Sequence, residues 1–394
     1  MNILILGSSG FIGNAVFLAL VNEHNITLAS RKNTSTYPNW KQVDFEKEND
    51  WESLLENIEL VINCIGIIEG DFAQIQVTAP IALYKECIKK DIAIIHISAL
   101  GAEVEKPISA FLQSKKTTDD YLLNYTKAKV IYPGIVLGSR GKSSQFLAEI
   151  ADFPIVPLVK MEALAFIHIT QLTENIKAII ANFDNSSQQL FLYGKKESLA
   201  EILTKIKGKK LKIIQLPQQV FLILFKIFPK LSIGIFNKAT FMLSQENLLE
   251  NHQTTISKAS KYIKANEIKP SHTFINLFVL LAISFIWIWS GISSLISWDK
   301  SMELMKEIGA NNQLAVIAIY TGSIIDVILG ITVLNKKTRK VSLLFQFLII
   351  FSYMLLLSIF APHYWLHPFG ILSKNIPLIV LSYYLYLENT SFAK

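Results

Sequence analysis

The first thirteen residues constrain the fold more than any other part of this chain. An apolar run, Asn2-Ile-Leu-Ile-Leu6, leads into Gly7-Ser8-Ser9-Gly10-Phe11-Ile12-Gly13, and a helical pattern follows to about residue 24. A strand, a glycine loop and a helix in this order form the context in which such glycines cradle a diphosphate. We expect Gly7 to allow the tight turn, Gly10 to let the backbone approach the ligand and Gly13 to let the helix pack on the strand. The segment predicts an α/β domain that binds a dinucleotide through all seven loop residues.

The end of the second predicted strand, 26–29, indicates which dinucleotide is bound. Ser30, Arg31 and Lys32 follow it, where enzymes that prefer NAD usually place a carboxylate for the ribose hydroxyls. Two cations and a hydroxyl suit a 2′-phosphate, so NADP is favoured as the cofactor and NAD is the alternative. The other interpretation is that Arg31 and Lys32 only form a turn exposed to solvent. Asp44, after the next apolar segment, is expected at the adenine edge.

Further strands and a helix complete the pattern of a doubly wound parallel sheet. We predict strands at 60–64, 92–98 and 130–132, and a helix at 110–125. Cys64, Gly66, Pro133 and Gly134 follow or end these strands, at the edge where a cofactor would lie. They are therefore predicted to contact the dinucleotide.

The last third of the chain has a different character. Charged residues make up 18% of the 394 residues, yet they thin out sharply after about residue 270. Four apolar stretches follow, at 273–296, 313–334, 341–361 and 370–388, and each approaches the roughly 20 residues that span a bilayer. The fold class predicted is thus a Rossmann doubly wound parallel sheet with a small substrate domain, followed by an all-α bundle of four transmembrane helices.

Basic residues predict the orientation of these helices. The loops beside the first span and between the second and third carry an excess of lysine and arginine, which places both termini in the cytoplasm and the protein in the inner membrane. The net charge of +7 is concentrated beside apolar segments, as expected for an anionic membrane surface and not for nucleic acid. Cys64 and Cys87 are expected to be free thiols in a reducing compartment.

The pattern of residues 1–255 resembles the atypical, extended-type short-chain dehydrogenase/reductase family. Residues 165–170 resemble its substrate-domain signature, and 242–249 resemble the branch that contains the NADPH-binding accessory subunit of respiratory complex I. The resemblance implies a substrate region at about 140–255 and catalytic roles for Ser98 and Lys115. The family's tyrosine, four residues before the lysine, is replaced by Phe111, which has no proton to give.

Other residues of this part are weaker candidates. Tyr125 and Lys129 have the same spacing as the family's pair, but they straddle the predicted end of the helix. His168 follows a strand and is expected to be a packed or capping residue. No His, Cys and carboxylate group has the spacing of metal ligands, so no metal is predicted.

Residues 272–390, after a linker at 256–271, resemble the DoxX-like four-helix membrane domain. The resemblance is carried by 287–291, 321–326 and 362–375, and it implies a quinone as a partner because relatives of the family include a subunit of a quinone-reducing enzyme. Asp326 is the main functional candidate within the membrane, since a carboxylate within a span needs a partner. Lys374, Asn375 and His363 are the candidate partners, and a protonated Asp326 is the alternative. Segment 216–236 is predicted to lie at the bilayer surface, with a fifth span as the minority alternative.

Two functions are compatible with these features. One is a membrane-anchored NADPH oxidoreductase that acts on a quinone or another lipophilic substrate. The other is a non-catalytic NADPH-binding scaffold or sensor within a membrane protein complex, which the absence of the tyrosine favours.

Overall fold

A computed structural model of the chain describes residues 1–33, 36–68, 70–107, 109–159, 163–194, 196–217, 219, 267–270, 273–366, 370 and 372–391. The chain divides into two compact units, Met1–Ser271 and His272–Lys394. The segments predicted at 216–236 and 242–249 lie almost wholly outside the described residues.

The first unit is built on a parallel sheet of seven strands. The strands described in this unit, in chain order, are β1 (Asn2–Leu6), β2 (Asn25–Ser30), β3 (Trp40–Gln42), β4 (Leu60–Asn63), β5 (Ala93–Ile97), β6 (Ala128–Pro133), β7 (Ile135–Leu137), β8 (Val156–Val159), β9 (Leu164–His168), β10 (Gln189–Leu192), β11 (Lys196–Glu197) and β12 (Ile213–Leu216). The large sheet has the order β10-β6-β5-β4-β1-β2-β3, and every pair in it is parallel. The order reverses at β1, and the crevice there is where such sheets bind ligands.

Helices cover both faces of this sheet. They are α1 (Phe11–Leu20), α2 (Trp51–Leu54), α3 (Ala79–Lys89), α4 (Ala110–Leu122), α5 (Lys142–Ala151), α6 (Ile169–Ala181) and α7 (Leu199–Lys207), and a π-helical segment, Ala73–Thr78, leads into α3. One apolar core joins the sheet to α3 and α4, and a second joins it to α1 and α6. The strands are buried on both faces, which explains their continuous apolar runs. The predicted doubly wound parallel sheet is confirmed.

Two small sheets form the region beyond β6. One contains β7, β9 and β11, and the other pairs β8 with β12. A Cβ on Gly134 would lie 2.6 Å from the carbonyl oxygen of Ala165, so the glycine lets the chain after β6 pass close to β9.

The second unit contains helices only, among the residues described. They are α8 (Thr273–Ile296), α9 (Trp298–Glu307), α10 (Asn312–Thr332), α11 (Arg339–Phe360) and α12 (Asn375–Ser391), with a 3-10 turn at Pro362–Leu366. Three segments are long and apolar enough to cross a membrane: Ile275–Ile296, Asn312–Thr332 and Arg339–Phe360. Large apolar side chains on all three are exposed, as expected where lipid replaces water.

The fourth predicted span differs from the prediction. The helix begins at Asn375 and not at residue 370, because Gly370 has a φ of +60° and residues 372–374 form a turn. Its apolar part, Asn375–Leu387, is shorter than the other three, and 17 residues rise only about 26 Å. The helix α9 was not predicted at all, since its five charged residues interrupt any apolar pattern.

The helices α8 and α10 approach each other closely through small residues. A Cβ on Gly291 would lie 2.5 Å from the carbonyl oxygen of Ser323, and one on Gly330 would lie 2.7 Å from a side-chain atom of Ile288. The Ser284 hydroxyl donates to the carbonyl oxygen of Gly330 at 2.7 Å. Small residues and interhelical hydrogen bonds of this kind hold helices together within lipid.

Candidate functional site

The glycine loop has the geometry of a diphosphate cradle. Gly7 has a φ of +72°, a left-handed conformation that side chains rarely adopt. Gly10 is the N-cap of α1, and no side chain among the described residues caps this helix end, so its first N–H groups remain available to an anion. A Cβ on Gly13 would lie 2.3 Å from the carbonyl oxygen of Gly7, so α1 packs directly on the turn.

The first unit contains a cavity of about 330 Å³, and the second unit contains one of about 360 Å³. The one in the first unit, here called the loop cavity, runs from the glycine loop along the crevice beside β1. It is lined by Gly7, Ser9, Gly10, Ser30, Arg31, Val43, Asp44, Phe45, Glu46, Cys64, Ile65, Gly66, Ile67, Gly70 and Ile75. The structure thus brings together eight of the residues predicted to contact the cofactor: Gly7, Ser9, Gly10, Ser30, Arg31, Asp44, Cys64 and Gly66.

The contacts of Ser30 and Arg31, which both line the loop cavity, differ in detail from the expectation. The Ser30 hydroxyl donates to the Lys32 carbonyl oxygen at 2.8 Å and accepts from the Trp40 indole at 2.9 Å, so Ser30 shapes the turn. Arg31 remains exposed, with a guanidinium nitrogen 3.9 Å from the carboxylate of Glu46. This weak surface pair leaves the arginine free to turn toward a phosphate.

Asp44 and Cys64 both line the loop cavity. The Asp44 carboxylate accepts from the backbone N–H of Glu46 at 3.2 Å, which closes a tight turn after β3. Burial raises the pKa of the Cys64 thiol to about 12, against the smaller opposing effect of Lys115. Cys64 is therefore a neutral packing residue at neutral pH and not a nucleophile.

Lys115 of α4 is buried behind two residues that line the loop cavity, Ile65 and Gly66, and does not itself appear in the described lining. Its ammonium donates to the carbonyl oxygens of Ile97 at 2.9 Å and Ile65 at 3.3 Å. A Cβ on Gly66 would lie 3.7 Å from this nitrogen. Burial lowers the pKa of Lys115, while the nearby Asp119 carboxylate opposes this effect.

Ser98 and Phe111, the other two positions of the predicted catalytic set, are both committed to protein contacts. The Ser98 hydroxyl donates to the Asp119 carboxylate at 2.5 Å and is 6% exposed. Phe111 lies one turn before Lys115, and its ring packs edge-on against Phe72 with centroids 6.2 Å apart. The side chain at the tyrosine position therefore belongs to an apolar contact.

Asp119 is the centre of a buried polar network that the sequence analysis missed. Its second carboxylate oxygen lies 3.5 Å from Nε2 of His96, and Nδ1 of His96 is 2.7 Å from the Tyr84 hydroxyl. That hydroxyl accepts from the amide of Asn63 at 2.7 Å. Burial raises the pKa of Asp119, although the Ser98 hydrogen bond opposes the change, and burial lowers the pKa of His96. The spacing of four between Lys115 and Asp119 was the available signal, since it places both on one helix face.

The remaining residues predicted to contact the cofactor are absent from the described lining of the cavity. Ser8 is buried and its hydroxyl donates to the Ala29 carbonyl oxygen at 3.2 Å. Phe11, Ile12 and Gly13 form the first turn of α1. Lys32, Pro133 and Gly134 are absent from the described lining of the cavity.

His168 is the capping residue that its position predicted. Its Nδ1 accepts from the backbone N–H of Thr170 at the start of α6, and its Nε2 lies 3.2 Å from the Glu267 carboxylate. Tyr125 follows the end of α4, and its hydroxyl donates to the Ile92 carbonyl oxygen at 3.2 Å, so it holds the helix end and is no substitute for the missing tyrosine.

The candidate functional residues of the second unit do not form one cluster. Asp326 lines the larger cavity together with Ser290 and Asn375. His363 instead lies 3.3 Å from Glu307, and Lys374 is exposed. Neither predicted cation is among the described residues that line this cavity with Asp326.

The sheet order and the glycine loop define the first unit as a Rossmann-type dinucleotide-binding domain, and the three long apolar helices define the second as a membrane domain. Residues 3–137 match the NAD dependent epimerase/dehydratase family, and residues 284–383 match the DoxX-like family. The resemblance to extended short-chain dehydrogenases and to DoxX-like proteins is therefore confirmed over these ranges. No protein of curated function matches the chain.

Solved structures with a similar fold include sugar-nucleotide enzymes. The dTDP-glucose 4,6-dehydratase of Bacillus anthracis in complex with NAD is 16% identical, with a TM-score of 0.46, over 55% of this chain and 84% of that one. The UDP-N-acetylglucosamine 4-epimerase of Methanobrevibacter ruminantium is 15% identical, with a TM-score of 0.47, over 54% and 85%. The ADP-L-glycero-D-manno-heptose-6-epimerase of Helicobacter pylori is 17% identical, with a TM-score of 0.45, over 55% and 84%.

Proposed function

We propose that this protein is a membrane-anchored NADP(H)-binding oxidoreductase that acts on a quinone or another lipophilic substrate at the cytoplasmic face of the inner membrane. The observation that carries the proposal is a loop cavity with free helix N–H groups in the same chain as three helices long enough to span a bilayer. A dinucleotide site tethered to lipid favours substrates that are dissolved in lipid.

The residues of the loop cavity fit the parts of the dinucleotide. The N-terminus of α1 would hold the diphosphate, and Asp44 would hold the adenine edge. Arg31, with Lys32 beside it in sequence, would contact a 2′-phosphate. The third N–H of Lys115 would hold the nicotinamide ribose. When bound, the nicotinamide supplies or accepts a hydride.

Phe111 restricts the chemistry that these residues support. Carbonyl reduction at the usual rate needs a proton donor at this position, and general acid catalysis contributes about 10²–10⁴-fold. A quinone takes up its protons from water or from other groups after hydride transfer, so it does not require the tyrosine. This difference favours a quinone over a ketone or sugar.

A second candidate function is that of a non-catalytic NADPH-binding subunit in a membrane complex. The Phe111–Phe72 contact and the hydrogen bond between Ser98 and Asp119 support it, because both give the site residues structural roles. This subunit would bind the dinucleotide without turnover.

The proposed orientation rests on basic residues in the second unit and before it. Lys336 and Lys337 lie between the second and third apolar helices, and Arg339 and Lys340 begin the third, a position that favours the cytoplasmic side. Labelling of a cysteine introduced at Lys337 in sealed inverted vesicles, but not in intact cells, is the expected result.

The experiment that separates the two functions uses the full chain in lipid nanodiscs. Binding of NADPH and NADH is measured by calorimetry, and NADPH oxidation is then followed with decylubiquinone. Tight NADPH binding with quinone-dependent turnover supports the oxidoreductase, whereas binding without turnover supports the scaffold. Absence of binding to either dinucleotide contradicts both.

A matched pair of variants tests the preference for NADP. Removal of the Arg31 charge by Arg31→Ala should weaken NADPH binding by about tenfold, as expected for one charge-assisted contact, and leave NADH binding unchanged. Lys41→Ala, an exposed cation on β3 outside the described cavity lining, is the control. Equal effects of Arg31→Ala on both dinucleotides would contradict the preference.

A further inference from the structure

The larger cavity lies within the membrane unit and is here called the bundle cavity. Its volume is about 360 Å³, and residues from α8, α9, α10, α11 and α12 line it. Along α10 its wall runs from Ala318 to Asp326, a distance of about 12 Å. A Cβ on Gly322, which also lines it, would have no neighbouring atom within 4 Å. The cavity therefore has room for a small organic molecule beside α10, more than one or two waters fill.

The bundle cavity contains a carboxylate that the cavity wall does not neutralise. Asp326 is the only acidic residue in the three long apolar segments, Ile275–Ile296, Asn312–Thr332 and Arg339–Phe360. It is half-buried, and no lysine, arginine or histidine is among the described residues that line the cavity with it. A carboxylate within a membrane span needs a counter-charge, or else it takes up a proton. The described wall leaves a place for a cation from outside the chain.

Two serine hydroxyls of the bundle cavity add hydrogen-bond acceptors to this charge. The Ser294 hydroxyl donates to the carbonyl oxygen of Ser290 at 2.8 Å, and the Ser301 hydroxyl donates to that of Ser294 at 2.9 Å. Ser294 and Ser301 both line the cavity. A hydroxyl has a single proton, so each of these oxygens keeps only lone pairs for a further partner. An occupant that donates hydrogen bonds therefore suits this wall better than one that only accepts them.

The apolar part of the lining indicates which kind of cation fits. Ile319, Ile350 and Leu378 belong to the wall, and so does Tyr353, whose ring face attracts a cation. A bare Ca²⁺ ion takes about six to eight oxygen ligands, and a wall that is largely apolar does not offer such a set. An ammonium group on an apolar body matches both parts of the cavity, because its N–H groups donate to oxygens while its body packs against the aliphatic side chains.

We propose that the bundle cavity binds a lipophilic ammonium ion, whose N–H groups donate to the Asp326 carboxylate and to the hydroxyl oxygens of Ser294 and Ser301. The apolar body of the ligand lies against the aliphatic wall of the cavity. The site belongs to the second unit alone, so it stands whether or not the first unit binds a dinucleotide or the chain reduces a quinone.

The experiment measures binding of two naphthalene probes of equal size to the full chain by calorimetry. The nanodiscs contain zwitterionic lipid, and the heat measured with protein-free nanodiscs is subtracted. 1-Naphthylmethylamine is a cation at neutral pH, and 1-naphthalenemethanol is its uncharged counterpart. Saturable binding of the amine at one site per chain, at least tenfold tighter than that of the alcohol, is the expected result. Absence of saturable amine binding, or binding of the alcohol as tight as that of the amine, would overturn the proposal and indicate a cavity filled by water or lipid beside a protonated Asp326.

A matched pair of variants tests the role of the carboxylate. Asp326→Asn keeps the shape of the side chain and removes its charge, so it should weaken amine binding at least tenfold and change alcohol binding by no more than about twofold. Glu303→Gln is the control, because Glu303 is an exposed acid of α9 that is absent from the described lining. Amine binding that is the same in Asp326→Asn as in the wild type would refute the assignment of the cation to Asp326.

A second variant acts through the space in the cavity and not through the charge. Gly322→Leu places a side chain where no neighbouring atom lies within 4 Å of the Cβ position, so it should fill part of the cavity and weaken amine binding about tenfold or more. The midpoint of thermal unfolding in detergent reports whether each variant is folded. If Asp326→Asn does not fold, Gly322→Leu decides the location of the site, and unchanged amine binding in this variant would overturn it.

Discussion

The contact between Gly13 and Gly7 gives the sharpest test of the dinucleotide site. In Gly13→Ala, the new Cβ would lie 2.3 Å from the carbonyl oxygen of Gly7 and 2.8 Å from its carbonyl carbon, whereas ordinary contact begins at 3.4 Å. Both opposing atoms are backbone atoms, so no side chain can turn away. The helix α1 and the loop must therefore separate by about 1 Å.

A displacement of this size acts directly on the N–H groups that would hold the diphosphate. Hydrogen bonds to a charged group contribute about 1.5–3 kcal/mol each, and they weaken steeply when the donor moves by this distance. Loss of one of them should raise the Kd for NADPH by about 10- to 150-fold. The Kd for NADH should rise by a similar factor, because both dinucleotides carry the diphosphate.

The assay is calorimetry of NADPH and NADH with the full chain in nanodiscs. Labelling of the buried thiol of Cys87 in the same samples reports whether the first unit remains folded. Gly322→Ala is the matched control, since no atom lies within 4 Å of its Cβ position. If Gly13→Ala binds both dinucleotides with unchanged affinity, the loop does not hold the diphosphate.

Three further predictions concern α4 and the membrane helices. Phe111→Tyr should place a hydroxyl one turn before Lys115 and produce measurable NADPH-dependent reduction of small ketones; a folded, NADPH-binding variant without such activity would contradict the helix assignment. Burial raises the pKa of Asp119 to about 7, so its protonated form favours the folded state and the first unit should lose stability as pH rises from about 4 through 7. Asp119→Asn should flatten this dependence, measured as the midpoint of thermal Cys87 labelling, and an unchanged slope would refute the cause. Gly330→Val should separate α8 from α10 by about 1 Å and lower the midpoint of thermal unfolding in detergent by several degrees, whereas Gly322→Val should not.

Local pattern predicted the elements of the first unit well. The strand Asn2–Leu6 has the predicted ends, and the other predicted strands are within one or two residues of the observed bounds. A fully buried parallel sheet leaves continuous apolar runs in the sequence, and the glycine loop punctuates the first of them. The helix predicted at 110–125 ends at Leu122 instead, because the chain turns there toward β6.

The contacts between distant segments were not predictable in the same way. The Ser30 hydroxyl is taken by Trp40 and by the Lys32 carbonyl oxygen, and neither contact follows from a spacing. The bond from Ser98 to Asp119 joins residues 21 positions apart. Likewise, Ser290 and Asp326 line the same cavity because α8 and α10 pack together. The tertiary arrangement fixes these neighbours, and β3, which carries Trp40, was itself not predicted.

The hydrogen bonds of Lys115 limit which substitutions this protein can accept during evolution. Its ammonium joins the ends of two neighbouring strands through the carbonyl oxygens of Ile65, just after β4, and Ile97, the last residue of β5. Replacing it would leave both buried acceptors without a donor and loosen the sheet beside the cofactor crevice. A homologue without redox activity would therefore still be selected to keep this lysine. Position 111, where the resemblance expects a tyrosine, would tolerate substitution more easily.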